Sequence, residues 1–127
     1  MNIRQSAENY LETIFMLKQR KGFVRSIDIA NELGFSKASV SVAMKALRES
    51  GYVTVDSDGG VSLTVEGQKI ADTMYERHEL IANVLMFFGV SKETAYEDSC
   101  KIEHVISDET ITKIKEFLES KNDEFTV

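Results

Sequence analysis

Three side chains that can bind a metal ion lie close together near the end of the chain, at Cys100, Glu103 and His104. Positions i, i+3 and i+4 share one face of an α-helix, so a helix here would present a thiolate, a carboxylate and an imidazole to one point. This set of sulfur, oxygen and nitrogen donors suits a borderline or intermediate divalent ion such as Fe²⁺, Mn²⁺, Co²⁺, Ni²⁺ or Zn²⁺. It differs from the all-oxygen sets that bind Ca²⁺ and Mg²⁺.

Further donors are available on two other predicted helices. Asn9 and Glu12 are three residues apart on the first helix and therefore share a face. His78, one of the chain's two histidines, falls on a long helix, so ligands from three helices could meet in a bundle. Each residue also has an ordinary explanation, because a lone cysteine is more often a small core side chain and a Glu-His pair usually faces solvent. The residues alone leave both interpretations open.

The elements before this region follow the pattern of a helix-turn-helix. Apolar spacing predicts an amphipathic helix over about residues 5–20. A short second helix is expected between an N-cap at Ser26 and Gly34, since glycine readily takes the left-handed conformation that ends a helix. Ser36 is expected to cap a third helix over about residues 37–50. Two helices joined by a turn that contains glycine are typical of this motif.

A β-hairpin is predicted directly after the third helix. Residues 52–55 and 61–64 are short β-type runs, and Asp58, Gly59 and Gly60 form a turn signal between them. A hairpin in this place is the wing of a winged helix. The predicted fold class is therefore mostly α, with an N-terminal winged helix-turn-helix that carries a two-stranded wing.

The front of the third helix is expected to enter the major groove of DNA, because helix-turn-helix proteins read bases with the N-terminal part of their second motif helix. The residues there are small, carry a hydroxyl or are charged: Ser36, Lys37, Ala38, Ser39 and Ser41. Hydroxyls can bond to phosphates or base edges, and Ala38 can contact a thymine methyl group.

Phosphate contacts are expected from Arg25 and Lys37, with Lys45 a weaker candidate because it can equally be the solvated side of its helix. The wing contains no lysine or arginine, so its tip should hold DNA weakly. No Arg, Asn or Gln stands at the front of the third helix to make an obvious bidentate contact with a base.

The second half of the chain is predicted to be helical. Thr64 caps a long helix that ends near Phe88, a further helix covers about residues 92–106, and residues 107–109 cap the last one. The predicted domains are therefore residues 1–64 for the winged helix and residues 65–127 for a helical domain.

Charge is distributed unevenly between these parts. The net charge is −6, yet residues 1–51 carry eight Lys or Arg against five Asp or Glu, and residues 52–127 carry seven against sixteen. This asymmetry indicates a basic face at one end and an acidic part with a different task.

The chain shows no sign of export or membrane insertion. No run approaches the ~20 apolar residues that span a bilayer, and the first residues do not form a secretory signal. Its single cysteine excludes an internal disulfide framework. A cytoplasmic protein is expected, with no membrane partner.

The winged helix is followed by residues 77–80, Arg-His-Glu-Leu, and residues 100–109, Cys-Lys-Ile-Glu-His-Val-Ile-Ser-Asp-Glu. With residues 9–14, Asn-Tyr-Leu-Glu-Thr-Ile, they resemble the diphtheria toxin repressor family of iron-dependent repressors and manganese transport regulators. The resemblance extends from about residue 6 to 120. It implies a homodimer formed by the helices after the wing, so that residues 65–127 would serve both metal binding and dimerisation. Metal binding would stabilise the arrangement in which two recognition helices fit successive major grooves.

By position, the resemblance implies the metal ligands Cys100, Glu103, His104 and His78, with Glu12 and Asn9 at the first-helix ligand positions. Cys100 is the iron-branch residue where the manganese branch has Glu, whereas Glu12 is the manganese-branch residue. Asn9 stands where the iron branch has Met and the manganese branch has Asp. Ala82 stands where the family commonly has Glu, which argues against a second metal site.

The length is that of the two-domain manganese type, and the chain is expected to lack the SH3-like third domain of iron-dependent members. A thiolate suits Fe²⁺ better than Mn²⁺, so Fe²⁺ is slightly favoured. The expected function is a transcriptional repressor that binds operator DNA as a homodimer when Fe²⁺ or Mn²⁺ is bound and that controls metal-uptake genes.

The alternative is a winged-helix regulator gated by a small molecule or by oxidation of Cys100, since a thiolate near an imidazole can be reactive. Release from DNA by a reductant rather than a chelator would distinguish it. An enzyme is not expected, because no separate general base or substrate pocket is suggested.

Overall fold

The structure is a computed structural model that describes residues 3–125, and the side chains of residues 4–121. The elements along this part of the chain are α1 (Ile3–Lys21), α2 (Ser26–Leu33), α3 (Lys37–Glu49), β1 (Val53–Val55), β2 (Val61–Leu63), α4 (Val65–Phe87), α5 (Lys92–Ile102) and α6 (Asp108–Phe125). The predicted fold class, mostly helical with a hairpin after the helix-turn-helix, is confirmed. The chain forms two compact units that divide between Asp72 and Thr73.

The first unit closes around one apolar core. Leu11, Ile14 and Leu17 follow helical spacing on α1 and are buried. The remaining elements of this unit add the buried residues Val24, Ile29, Ala30, Val40, Met44, Leu47, Val53, Val61 and Ala71. These side chains fix α3 against the other elements of the unit and leave its opposite face to solvent.

The turn between α2 and α3 forms as its residue types predict. Gly34 adopts a φ of 70° and donates its backbone N–H to the carbonyl of Ala30, which ends α2. The Ser36 hydroxyl accepts the backbone N–H of Ser39 at 3.1 Å and starts α3. The helix-turn-helix is therefore set by local chemistry.

The start of α2 differs from the prediction by one residue. Arg25, and not Ser26, is the N-cap. The reason is Asp28, whose carboxylate accepts the backbone N–H of Arg25 at 2.9 Å and pairs with Nζ of Lys21 at 3.1 Å. A carboxylate three residues into a helix can satisfy the cap residue's own N–H.

The wing is a short antiparallel hairpin. Val53 pairs with Leu63 and Val55 with Val61. At its tip, Oδ1 of Asp56 accepts the backbone N–H of Asp58 at 2.9 Å and of Gly60 at 2.8 Å. These bonds account for the tight turn.

The start of α4 packs closely on the segment between α3 and β1. Thr64 caps the helix, because its hydroxyl accepts the backbone N–H of Gly67 at 3.1 Å. A Cβ on Gly67 would lie 2.1 Å from the carbonyl oxygen of Tyr52, so only glycine fits here.

The second unit contains the end of α4 with α5 and α6. Its buried apolar side chains are Met74, Ile81, Ala82, Val84 and Ala95. The rings of Phe87 and Phe117 meet edge to face at 5.2 Å between centroids. Ser107 caps α6 as predicted, with its hydroxyl 3.1 Å from the backbone nitrogen of Thr110.

No helix within residues 3–125 combines the length and apolar character needed to cross a membrane.

Candidate metal centre and DNA-reading face

The second unit has a buried pair of a histidine and a carboxylate at its centre. Nδ1 of His78, on α4, lies 3.0 Å from Oε2 of Glu103, which directly follows α5. Their side chains are 5% and 1% exposed. Burial of a carboxylate is costly unless it is paired and hydrogen-bonded, and His78 provides such a partner for Glu103.

The second carboxylate oxygen of Glu103 faces another imidazole. Oε1 lies 3.4 Å from Nε2 of His104, whose side chain is 9% exposed. Glu103 therefore stands between two histidines, and the three side chains form a continuous set of donor atoms.

A thiol and a hydroxyl approach the same nitrogen of His78. Sγ of Cys100 lies 3.7 Å from Nδ1, and Oγ of Ser99 lies 3.0 Å from it. The Ser99 hydroxyl donates to the carbonyl of Tyr96 at 2.9 Å, so it can only accept from His78. The arrangement therefore places a proton on Nδ1, shared between Ser99 and Glu103. Cys100 itself is exposed, so the centre is open to solvent at the thiol.

The donor types in the second unit suit a divalent transition metal. An ion with bonds of about 2.1 Å to nitrogen and oxygen and about 2.3 Å to sulfur separates its ligand atoms by roughly 3.0–3.6 Å. The separations from Nδ1 of His78 are 3.0 Å to Glu103 and 3.7 Å to Cys100. The carboxylate and the thiol therefore each lie near Nδ1 at a distance close to that between two ligands of one ion.

Arg77 holds the turn that carries two of the predicted ligands. Its Nη1 donates to the carbonyl of Glu103 at 3.3 Å and of Ile106 at 3.1 Å, and its Nη2 pairs with the carboxylate of Asp108. Carbonyls at a helix C-terminus lack hydrogen-bond donors within the helix, and the guanidinium of Arg77 provides these donors.

The end of α5 differs from the sequence prediction. The helix ends at Ile102 instead of near Ile106, and His104 lies in the turn that follows. Glu103 keeps a helical conformation, with φ −57° and ψ −28°, so its relation to Cys100 is still that of i and i+3. The premise of one continuous helical face was wrong for His104, although its imidazole still reaches Glu103.

An aromatic ring packs against His78. Its ring packs against the ring of Tyr96 at 5.2 Å between centroids. The Tyr96 hydroxyl donates to Oε2 of Glu79 at 2.8 Å, and this hydrogen bond raises the pKa of Tyr96. Sequence reasoning missed Tyr96, Ser99 and the role of Arg77, because a lone Tyr, Ser or Arg on a helix carries no pattern that distinguishes it.

The predicted DNA contacts lie on the surface of the first unit. All seven are exposed: Arg25, Ser36, Lys37, Ala38, Ser39, Ser41 and Lys45. The Ser36 hydroxyl also donates to Oγ of Ser39 at 2.9 Å, so both serines help to cap α3. The Arg25 guanidinium lies 5.1 Å from the centroid of the Phe23 ring. Whether these residues contact DNA stays a prediction.

Comparison with known proteins accounts for nearly the whole chain. Residues 2–61 match the iron dependent repressor N-terminal DNA binding domain, and residues 64–123 match the iron dependent repressor metal binding and dimerisation domain. The transcriptional regulator MntR of Escherichia coli O6:H1 is 36% identical over 114 residues, which is 90% of this chain and 74% of MntR.

The chain belongs to the iron-dependent repressor family.

Other proteins and solved structures are also similar to this iron-dependent repressor. An uncharacterized HTH-type transcriptional regulator of Methanocaldococcus jannaschii is 33% identical over 121 residues, 94% of this chain and 97% of that protein. The solved structure of the manganese regulator SloR is 29% identical with a TM-score of 0.78, and covers 94% of this chain. IdeR of T. acidophilum is 25% identical with a TM-score of 0.79, and covers 88% of this chain. The chain spans about half the length of these two structures, 55% and 53%.

As an iron-dependent repressor, the chain is a metal-dependent transcriptional repressor and not an enzyme, as the sequence predicted. Its two parts match a DNA-binding domain and a metal-binding and dimerisation domain. A divalent metal is its cofactor.

Two predicted ligands of this repressor lie outside the second unit. Asn9 and Glu12 are on α1; Asn9 is half-buried, and Glu12 is 4% exposed. A buried glutamate is unusual, because its ionised form is stable only with suitable partners. Their role as ligands stays a prediction.

Proposed function

We propose that this repressor binds operator DNA as a homodimer when Fe²⁺ or Mn²⁺ is held by the centre around His78 and Glu103, and that it acts in the cytoplasm on genes for metal uptake. The observation that supports this most is the 3.0 Å approach of the buried Nδ1 of His78 to Oε2 of Glu103, with the Cys100 thiol 3.7 Å from the same nitrogen.

The proposed ligands in the second unit are His78, Cys100, Glu103 and His104. A divalent ion would supply the positive charge that balances a thiolate and a carboxylate in this pocket. To bind it, His78 must lose the Nδ1 proton and Cys100 must lose its thiol proton. Metal binding should therefore release protons and weaken as the pH falls. Arg77, Ser99 and Tyr96 keep the ligands in place, as contacts behind the ligands of a metal site commonly do.

Glu12 and Asn9 are proposed as the contribution of α1, on the basis of the family resemblance and the burial of Glu12. Because α1 belongs to the DNA-binding domain, ligands on it would link metal binding to DNA affinity. A coupling of ~1–3 kcal/mol would change that affinity ~5–150-fold.

For the choice of metal, two arguments oppose each other. The thiolate of Cys100 is a softer ligand than a carboxylate and favours Fe²⁺ over Mn²⁺. Against this, several relatives are named MntR, and the similar structure of SloR is named as a manganese regulator. We propose Fe²⁺ as the preferred activator with Mn²⁺ also effective. The preference would be abandoned if Mn²⁺ restored full operator affinity at a lower free concentration than Fe²⁺ does.

The test is a fluorescence anisotropy titration on duplexes selected from a random library in the presence of metal. Wild type should bind ~5–150-fold more tightly with Fe²⁺, under anaerobic conditions, or with Mn²⁺ than after treatment with a chelator. A reductant should leave binding unchanged. His104→Ala should remove the metal-dependent part while circular dichroism shows an intact fold, and Glu97→Gln, on the exposed side of α5, should behave as wild type.

Unchanged metal activation in His104→Ala would refute the site assignment. Release by the reductant and not by the chelator would refute metal gating altogether.

A further inference from the structure

An apolar side chain lies in the middle of the exposed face of α3. Val42 is 71% exposed, whereas Val40, Met44 and Leu47 on the same helix are buried in the core. Val42 therefore contributes little to packing. A β-branched residue is also slightly unfavourable in a helix, because the preceding turn restricts its χ1 angle. The fold provides no reason for a valine at this position.

The neighbours of Val42 are the residues predicted to face DNA. Ala38 stands four residues before it and Lys45 stands three residues after it, and both are exposed. Residues at these spacings share one side of a helix. With a rise of ~1.5 Å per residue, Val42 follows Ala38 by about 6 Å along the axis, which is roughly two base-pair steps of B-DNA.

We propose that Val42 contacts the C5-methyl group of a thymine in the major groove and makes thymine the preferred base at that position of each half-site. The inference rests on the DNA binding of the proposed function. Thymine alone among the four standard bases presents a methyl group in the major groove. Valine has no hydrogen-bonding side-chain atom, so it would leave the amino group of cytosine or adenine without a partner.

The charge around Val42 favours DNA over a protein as the occupant of this face. Lys37 and Lys45 are exposed on the same helix, and Arg25 is exposed at the start of α2. The match to the N-terminal DNA binding domain, residues 2–61, includes all of them. Lysine and arginine at these positions would neutralise phosphates on either side of the groove.

Deoxyuridine provides a probe of one methyl group, since it keeps the hydrogen-bonding edge of thymine and lacks the C5-methyl. The operator is first selected from random duplexes by wild type with Mn²⁺, and each thymine is then replaced singly by deoxyuridine. Affinities are measured for wild type, Val42→Ala and the matched control Val65→Ala. Val65 is 72% exposed and lies on α4, outside the recognition helix.

In each half-site, one thymine should be sensitive in wild type and insensitive in Val42→Ala. There, deoxyuridine should weaken wild-type binding by about 3- to 10-fold, the loss expected from about one buried methyl group. Val42→Ala should bind the thymine operator about 5- to 10-fold more weakly for each half-site and should no longer distinguish deoxyuridine from thymine at that position. Val65→Ala should match wild type throughout.

The inference is overturned if Val42→Ala keeps both the wild-type affinity and the wild-type response to deoxyuridine while binding stays metal-dependent. If wild type binds no duplex at all with metal, the proposed function fails as well, so the two failures can be told apart. Loss of binding to another protein, with operator affinity unchanged, would assign this face to a protein partner and would also overturn the inference.

Discussion

Nδ1 of His78 and Oε2 of Glu103 lie 3.0 Å apart in the interior of the second unit, with both side chains almost fully removed from solvent. One residue comes from α4 and the other from the turn after α5. This contact brings a histidine and a carboxylate that are 25 residues apart in sequence into one donor set. Glu103 also approaches His104, so the centre depends on this carboxylate more than on any other group.

Replacement of Glu103 by glutamine should remove metal binding and preserve the fold. The amide has the same shape and can still hydrogen-bond to both imidazoles, but it lacks the charge that balances a divalent ion. We expect the affinity for Mn²⁺ to fall by more than about 100-fold, since even outer contacts of metal sites are worth 10–100-fold. Competition with a chelating dye measures it, with Glu97→Gln on α5 as the control. Wild-type affinity in Glu103→Gln would exclude this carboxylate as a ligand.

Arg77→Lys should loosen the turn after α5. A lysine cannot hold the carbonyls of Glu103 and Ile106 and the carboxylate of Asp108 with one rigid fork of donors. We expect a loss of about 1–3 kcal/mol in the free energy of unfolding and an approximately tenfold weaker affinity for metal. Urea denaturation and metal titration check the two effects. Arg48→Lys, on the exposed side of α3, should change neither.

Asp28→Asn should reduce stability at neutral pH and leave it unchanged in acid. The backbone N–H of Arg25 and then the ammonium group of Lys21 lower the pKa of Asp28 below its usual value of 3.8. A lowered folded-state pKa gives stability that is complete above the unfolded pKa and is lost as the pH falls through the folded pKa. At pH 7, the free energy of unfolding of wild type should exceed that of the variant by about 1 kcal/mol.

The measurement for Asp28 is urea unfolding of wild type and Asp28→Asn across pH 7 to 3. The difference should narrow below about pH 4. Asp58→Asn, at an exposed carboxylate in the wing turn, provides the control. A difference that stays constant or grows in acid would contradict the role given to Asp28.

Gly67→Ala should destabilise the first unit strongly. The new Cβ would lie 2.1 Å from the backbone oxygen of Tyr52, and a backbone atom cannot move aside as a flexible side chain can. We expect a loss of about 3 kcal/mol or more, at the upper end of the range for overpacking. Thermal unfolding measures it, with Lys69→Ala at an exposed position of the same helix as the control. An unchanged melting temperature would show that α4 can shift at its start.

Much of the fold could be predicted from the sequence because local chemistry determines it. Gly34 and Ser36 end and start their helices through hydrogen bonds within a few residues, and these positions were predicted correctly. The wing follows from its turn residues in the same way. Gly67 shows the limit, since its need for glycine comes from the backbone of Tyr52, which only the folded chain brings near.

The candidate site was predictable in its ligand types and less so in its geometry. Cys100, Glu103 and His104 stood out because metal-binding residue types at helical spacing are recognisable. The end of α5 at Ile102 was not predictable, because the turn that follows it is held by contacts with Arg77, which lies on a different helix. The same applies to Ser99, whose contact with His78 depends on how α4 and α5 pack.

The wing has a consequence for how the repressor responds to ionic strength. Residues 52–64, which include β1 and β2, contain no lysine or arginine. The wing therefore displaces few counterions from the DNA backbone. If Arg25, Lys37 and Lys45 supply the phosphate contacts, a dimer neutralises about six phosphates, and log K should fall against log [salt] with a slope of about −5. A fourfold rise in salt would then weaken binding by about 10³-fold, so the occupancy of the operator would depend on ionic strength as well as on the metal.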